Sequence, residues 1–231
     1  MPKFALILPA AGSSTRFGGP RNKLLEIVAG VPVLARSMRA FLLRADVAQI
    51  VIPTQTRLME SADWPLAICL SDRRVVTCPG GSSRAHSVQC AAQRVDPSIE
   101  WIAVHDAARP LVSQDLIDRT LVAAVEHGAA VPAMPVPLTI KQATGPLPAK
   151  VERTLPRHTL WAMQTPQIMR RADLLKAFET CPIPLEQVTD DVQLIELAGG
   201  DVWLVPGEER NLKITTQTDL LLAEQWLSDI K

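Results

Sequence analysis

The run Phe4-Ala5-Leu6-Ile7-Leu8 feeds without interruption into Pro9-Ala10-Ala11-Gly12-Ser13-Ser14-Thr15-Arg16-Phe17-Gly18-Gly19. Five consecutive apolar residues have no polar face and are too short to span a bilayer, so they read as a strand covered on both sides. Such a strand requires helices above and below its sheet. Further short β-rich runs recur at Ala48 to Ile52, Arg74 to Thr77 and Trp101 to His105, alternating with helical stretches. The pattern predicts an α/β fold: one Rossmann-like, mostly parallel twisted sheet with helices on both faces. At 231 residues the whole chain, 1–231, reads as a single domain.

Helical spacing joins Leu34, Met38, Phe41 and Leu42, and again Leu116, Leu121 and Val125 behind the N-cap candidate Ser113. Thr189 precedes Val192, Leu194, Ile195 and Leu197, with Gly199-Gly200 closing that helix, and Thr216-x-x-Asp219 predicts a capping box for the last one. One stretch breaks the rhythm. Pro132, Pro135, Pro137, Pro146 and Pro148 crowd Leu138 to Lys141. Proline cannot donate to a ladder, so this segment belongs at an edge or projects as an arm, at about 136–155.

Twenty-four basic and twenty-four acidic residues cancel, so no global field favours a nucleic acid or a membrane partner, and a phosphate site has to be local. Cys69, Cys78, Cys90 and Cys181 form no C-x-x-C pair, which suggests neither a zinc knuckle nor a disulfide framework and fits a reducing cytoplasm.

Three loops follow apolar runs and carry the chemistry. In the first, small side chains at Pro9 to Ser13 let backbone N–H groups approach an anion, and Arg16 adds a forked permanent charge. Lys23, seven residues later, offers a second one. Neither G-x-G-x-x-G nor Gly-Lys-Ser/Thr is present, which excludes the dinucleotide and Walker A loops. The second loop, Pro79-Gly80-Gly81-Ser82-Ser83-Arg84-Ala85-His86-Ser87-Val88, opens a helical stretch and suits base or ribose contacts. The third, His105-Asp106-Ala107-Ala108-Arg109-Pro110, ends a strand on an acid. Asp106 could accept hydroxyl hydrogens or hold a hydrated cation. Two later segments, Arg157 to Gln167 and Asn211-Leu212-Lys213-Ile214-Thr215, complete the set. Lys213 reads as a charge in a short apolar strand that meets water or an anion. His105 and His158 have no identifiable base role, and covalent catalysis is disfavoured.

In order and spacing, Pro9-Ala10-Ala11-Gly12…Arg16, Gly80-Gly81…Arg84-Ala85-x-Ser87-Val88, Val104 to Pro110, Thr165-Pro166-Gln167 and Asn211-x-Lys213 together resemble the 2-C-methyl-D-erythritol 4-phosphate cytidylyltransferase family. The match runs from about Leu6 to Glu224. The resemblance implies transfer of the cytidylyl group of CTP to a polyol phosphate, with magnesium bridging triphosphate oxygens and with Asp106 as a candidate in the metal's surroundings. It implies that Arg16 and Lys23 hold the triphosphate, that Arg157 joins the catalytic set, and that Lys213 serves the reacting phosphates. Pro9, Ala10, Ala11, Gly12, Ser13, Gly80, Gly81, Ser82, Ser87 and Ala107 would cradle the nucleotide. Asp106, Arg109, Thr139, Arg157, Thr165, Thr189 and Lys213 would face the acceptor. It also implies a homodimer through the arm, with Thr139, Arg157 and Arg109 acting across the interface. Departures from the family pattern are Ser14 for glycine, Asn22-Lys23-Leu24 for Pro-Lys-Gln, Ser82 for aspartate and Leu138 for an acidic residue. A ribitol 5-phosphate cytidylyltransferase and a non-catalytic nucleotide-binding regulator of the same fold are the rivals.

Overall fold

In the computed structural model, the described residues are 1–12, 17–18, 22–55 and 72–228. The opening apolar run becomes β1 (Phe4–Ile7), with every residue buried. Its alternation divides the core. Phe4 and Leu6 face one hydrophobic cluster, with Leu34, Met38, Phe41, Leu116 and Leu121. Ala5 and Ile7 face another, with Val88, Ala91, Leu174 and Leu194. Successive strand residues point to opposite faces, so a strand apolar throughout carries helices on both sides.

On the first side lie α1 (Val33–Leu42), α3 (Gln114–His127) and α6 (Gln217–Ser228). On the second lie α2 (Arg84–Ala92), α4 (Arg171–Glu179) and α5 (Asp191–Leu197). The remaining strands of the main sheet are β4 (Val47–Thr54), β5 (Val75–Pro79), β6 (Trp101–Val104), β7 (Ala129–Pro135), β10 (Trp161–Met163), β11 (Gln167–Arg170) and β12 (Trp203–Pro206). Two small hairpins stand apart, β2 (Ile27–Val28) with β3 (Val31–Pro32), and β8 (Ile140–Ala143) with β9 (Val151–Leu155). The main sheet is ordered β10-β7-β11-β6-β1-β4-β5, with β12 beside β7. Only β10 and β11 run against the other strands. The mostly parallel sheet with helices on both faces is the predicted fold class.

Local expectations mostly hold. Ser113 caps α3 by accepting the Leu116 N–H at 3.0 Å. Asp219 accepts from the backbone N–H groups of Thr215 and Thr216, while the Thr216 hydroxyl accepts the Asp219 N–H, which is the predicted capping box. Several details differ. Val125 is 40% exposed, because the inward stripe of α3 is Leu116, Ile117, Thr120, Leu121 and Ala124. Asp190, not Thr189, caps α5 through the Gln193 N–H. Pro132 and Pro135 lie inside β7 and not at an edge. Pro132 lacks a donor, yet its carbonyl still accepts from the Gln164 N–H at 2.7 Å. The residues after Pro135 do leave the body. From 137 to 159 nearly all are exposed, with β8 and β9 paired to each other.

Candidate active site

The loops after β1, β5 and β6 emerge at one edge of the sheet, where open α/β sheets bind ligands. There they enclose a cleft of about 440 Å³ lined by Pro9, Ala11, Gly12, Lys23, Gly81, Ser82, Arg84, Ser87, Asp106, Ala107 and Lys213, among others. Hydrogen bonds hold its walls. Gln55 Nε2 donates to the Ala11 carbonyl at 2.7 Å and Asn22 Nδ2 to that of Gly12 at 3.2 Å. Ser83 caps α2 by accepting the His86 N–H at 3.1 Å. The Ser87 hydroxyl accepts the Gly81 N–H and donates to the Ser83 carbonyl. Gly80 packs so closely on Ala11 that a Cβ there would collide with the alanine methyl.

Asp106 sits just past the end of β6 and is 8% exposed. Its carboxylate meets three cations: Lys213 Nζ at 2.9 Å, Arg109 Nε at 3.3 Å and Arg84 Nε at 3.4 Å. Burial alone would raise this carboxyl. Arg84, Lys213 and Arg109 outweigh burial and hold it far below the usual carboxylate range. Arg84 in turn bonds Asp191 at 2.7 Å. Burial opposes the guanidinium charge, but Asp191 and Asp106 overcompensate and raise its pKa. Three cations gather on these two acids at the place where an anion would enter.

A second layer fixes Asp106 from behind. The Thr165 hydroxyl accepts the Asp106 N–H at 3.0 Å and pairs with His105 Nδ1 at 3.0 Å, while His105 Nε2 lies 3.1 Å from the Arg109 carbonyl. A carbonyl only accepts, so Nε2 carries the proton and Nδ1 takes the threonine hydrogen. Burial pushes His105 down to about 4, keeping the ring neutral. Asn211 Nδ2 donates to the Thr165 carbonyl at 2.8 Å, and Arg109 Nη1 to the Asn211 carbonyl at 2.6 Å.

The structure brings most predicted site residues together. Ala10 is buried beneath the first loop, with its N–H on the Pro53 carbonyl. Lys23 reaches the late segment, donating from Nζ to the Ile214 carbonyl at 2.9 Å. Lys213 lies in an irregular segment, not a strand. The Ile214 N–H bonds to the Ala108 carbonyl, giving one strand-like contact without a ladder. Thr165 supports Asp106 from behind the cleft. Arg109 is buried against Asp106 and Asn211 of its own chain. Thr189 is exposed and bonds Gln193 Oε1, while Thr139 and Arg157 are exposed on the projecting segment. Ser13 and Arg16 lie outside the described residues. Asp191, Gln55 and Arg84 lie at the site without having been among the predicted site residues. The sequence signs for Arg84 were its place at the start of a helix behind Gly80-Gly81 and its presence in the motif Gly80-Gly81…Arg84-Ala85-x-Ser87-Val88.

The family model "IspD: 2-C-methyl-D-erythritol 4-phosphate cytidylyltransferase" matches residues 4–229. A protein of that name from Solibacter usitatus is 36% identical over 98% of this chain and 96% of its own length. The bifunctional enzyme IspD/IspF of Desulfotalea psychrophila is 40% identical over the whole chain, which spans 58% of that protein. The crystal structure of 2-C-methyl-D-erythritol 4-phosphate cytidylyltransferase from Thermus thermophilus superposes with a TM-score of 0.79 at 32% identity, covering 99% of this chain and 100% of that one. The chain belongs to the 2-C-methyl-D-erythritol 4-phosphate cytidylyltransferase family.

Proposed function

We propose that the chain is one nucleotidyltransferase domain that moves the cytidylyl group of CTP onto 2-C-methyl-D-erythritol 4-phosphate. The products are 4-diphosphocytidyl-2-C-methyl-D-erythritol and pyrophosphate, in non-mevalonate isoprenoid precursor synthesis in the cytoplasm. The observation that carries this reading is Lys213 Nζ, 2.9 Å from Asp106 in the cleft that the glycine-rich loops enclose. An acceptor phosphate oxygen attacks the α-phosphorus, the bond to the β,γ-diphosphate breaks, and the electron pair leaves with pyrophosphate. The monoester is already an anion, so no base is needed. The protein's task is to align the two phosphates and to neutralise charge as it develops.

In this assignment Pro9, Ala10, Ala11, Gly12, Ser13, Gly80, Gly81, Ser82, Ser87 and Ala107 hold the nucleotide. Arg16 and Lys23 hold its triphosphate. Lys213 serves the reacting phosphates, and Asp106 takes polyol hydroxyls, with Arg109, Thr165 and Thr189 as acceptor-side residues. Asp106 is the one acid lining the cleft among the described residues, and three cations already engage it. No group of three His, Cys, Asp or Glu suited to a metal occurs among those residues. This donor set fits magnesium carried mainly by triphosphate oxygens, where it would spread the charge developing on the leaving group.

The segment 136–155 serves as a dimerisation arm, its occupant being a second copy whose cleft receives Thr139 and Arg157. Supporting this are Leu147, Leu138 and Val151, which are 88%, 71% and 49% exposed on a hairpin paired only with itself among the described residues. No helix among those residues is long and apolar enough to cross a membrane.

Purified protein with CTP and magnesium, offered each alcohol phosphate in turn, tests the activity by pyrophosphate release. Turnover with methylerythritol phosphate is expected. Turnover with ribitol 5-phosphate alone would overturn the acceptor, and silence with both would favour a nucleotide-binding regulator. For the dimer, light scattering should return twice the chain mass. Mixing Lys213→Ala with Arg157→Ala protein should restore activity that neither has alone, because one intact cleft would then form.

A further inference from the structure

Behind the cleft stands an acid that the transfer chemistry above leaves unused. Asp191 opens α5 and is fully buried. Its Oδ2 accepts from Arg84 Nη2 at 2.7 Å, and its Oδ1 has no hydrogen-bond partner among the described residues. A charge is costly to bury unless paired, so a helix-capping duty would be the plain explanation for the residue. That duty belongs to others. Gln167 Oε1 accepts the N–H groups of Asp191 and Val192, at 2.8 and 3.1 Å, and Asp190 accepts that of Gln193. The Asp191 carboxylate is left with Arg84 as its one partner among the described residues.

Arg84 is suspended between two acids of unequal grip. Asp191 holds it at 2.7 Å, while the approach of Arg84 to Asp106 is 3.4 Å. The guanidinium is 30% exposed and lines the cleft, so its position depends on the buried acid behind it. We propose that Asp191 is a positioning residue for the acceptor alcohol phosphate: it clamps Arg84, and Arg84 sets the angle at which Asp106 meets the polyol. This rests on the transfer reading given above.

The test is the full set of kcat and KM values, for both substrates, in the wild type, Asp191→Asn, Arg84→Met and the double variant. Asp191→Asn keeps shape and a hydrogen-bond acceptor but loses the charge. It should raise the KM for methylerythritol phosphate about tenfold while the KM for CTP stays within about twofold. Because Asp191 acts through Arg84, the double variant should be no worse than Arg84→Met alone. A purely structural role predicts a lower melting temperature with unchanged constants, and that result, or losses that multiply, overturns the proposal. Should Asp191→Asn fail to fold, Arg84→Met carries the test from a part-exposed position, and an unchanged acceptor KM there is equally fatal. A wild-type enzyme silent with methylerythritol phosphate would overturn the transfer reading itself, and this one with it.

Discussion

The cleft and the β8–β9 hairpin are opposite solutions to placing polar groups. Around Asp106 the charges pair inside the cleft: Arg109 comes from three residues away, and Arg84, Lys213 and, through Arg84, Asp191 come from distant parts of the chain. In the hairpin the pairs are local and wet. Lys141 donates to Thr154, Arg153 to Gln142 and Arg157 to the Pro137 carbonyl, all at exposed positions. Buried networks are strong when complete and costly when broken, whereas exposed pairs contribute little. The difference teaches that the chain's own fold pairs the charges around Asp106, whereas it leaves the arm's apolar groups exposed. Changes in the cleft should alter chemistry or stability steeply, and changes in the arm should leave the lone fold untouched.

Lys213→Ala should show the steepest effect. Removing charge from a preorganised phosphate site costs on the order of 10²–10³ in kcat, measured by pyrophosphate release. A variant within threefold of wild type would break the contrast at its strongest point. Acid comes next. His105 is held at about 4, below the ordinary 6.5, so it is neutral in the fold while an unfolded chain takes up its proton. Stability is therefore unaffected above about pH 6.5 and falls as pH drops from there toward 4, by roughly 3 kcal/mol at the lower end. Asp106, depressed instead, withdraws its contribution only below the ordinary carboxylate range. Denaturant unfolding at pH 7 and 4.5 checks this, and His105→Gln should flatten the slope. Gly80→Ala should cost about 1–3 kcal/mol, because its methyl would meet Ala11 in the wall of the nucleotide loop. A thermal melt unchanged by that substitution would show a looser loop. Leu147→Ser, on the arm, should move monomer stability by less than about 0.5 kcal/mol. A larger loss by denaturant titration would place the hairpin tip inside the chain's own core.

The same contrast explains what could be read from sequence. β1 and β6 were legible because an unbroken apolar run admits few environments, and the loops behind them were legible because small residues next to a charge serve backbone approach. Asp191 was not, since its partner Arg84 is 107 positions away and nothing local marks an acid as buried. Lys213 between Leu212 and Ile214 imitates a strand, but one bond from the Ile214 N–H to the Ala108 carbonyl does not make a ladder. Thr189 lost the cap to its neighbour Asp190, an equally good capping residue one position on. Pro132 sits inside a strand because only its donor is missing, and the ladder there asks for its carbonyl.

The neutrality of the whole chain, set against the cations gathered around Asp106, has a consequence for how substrates arrive. A protein with 24 charges of each sign projects little field into solution, so its anionic substrates are not drawn in from afar. They are recognised on contact, by part-buried groups that salt screens much less than it screens charges on the open surface. Such a catalyst gives up speed of capture and gains indifference to the ionic strength around it.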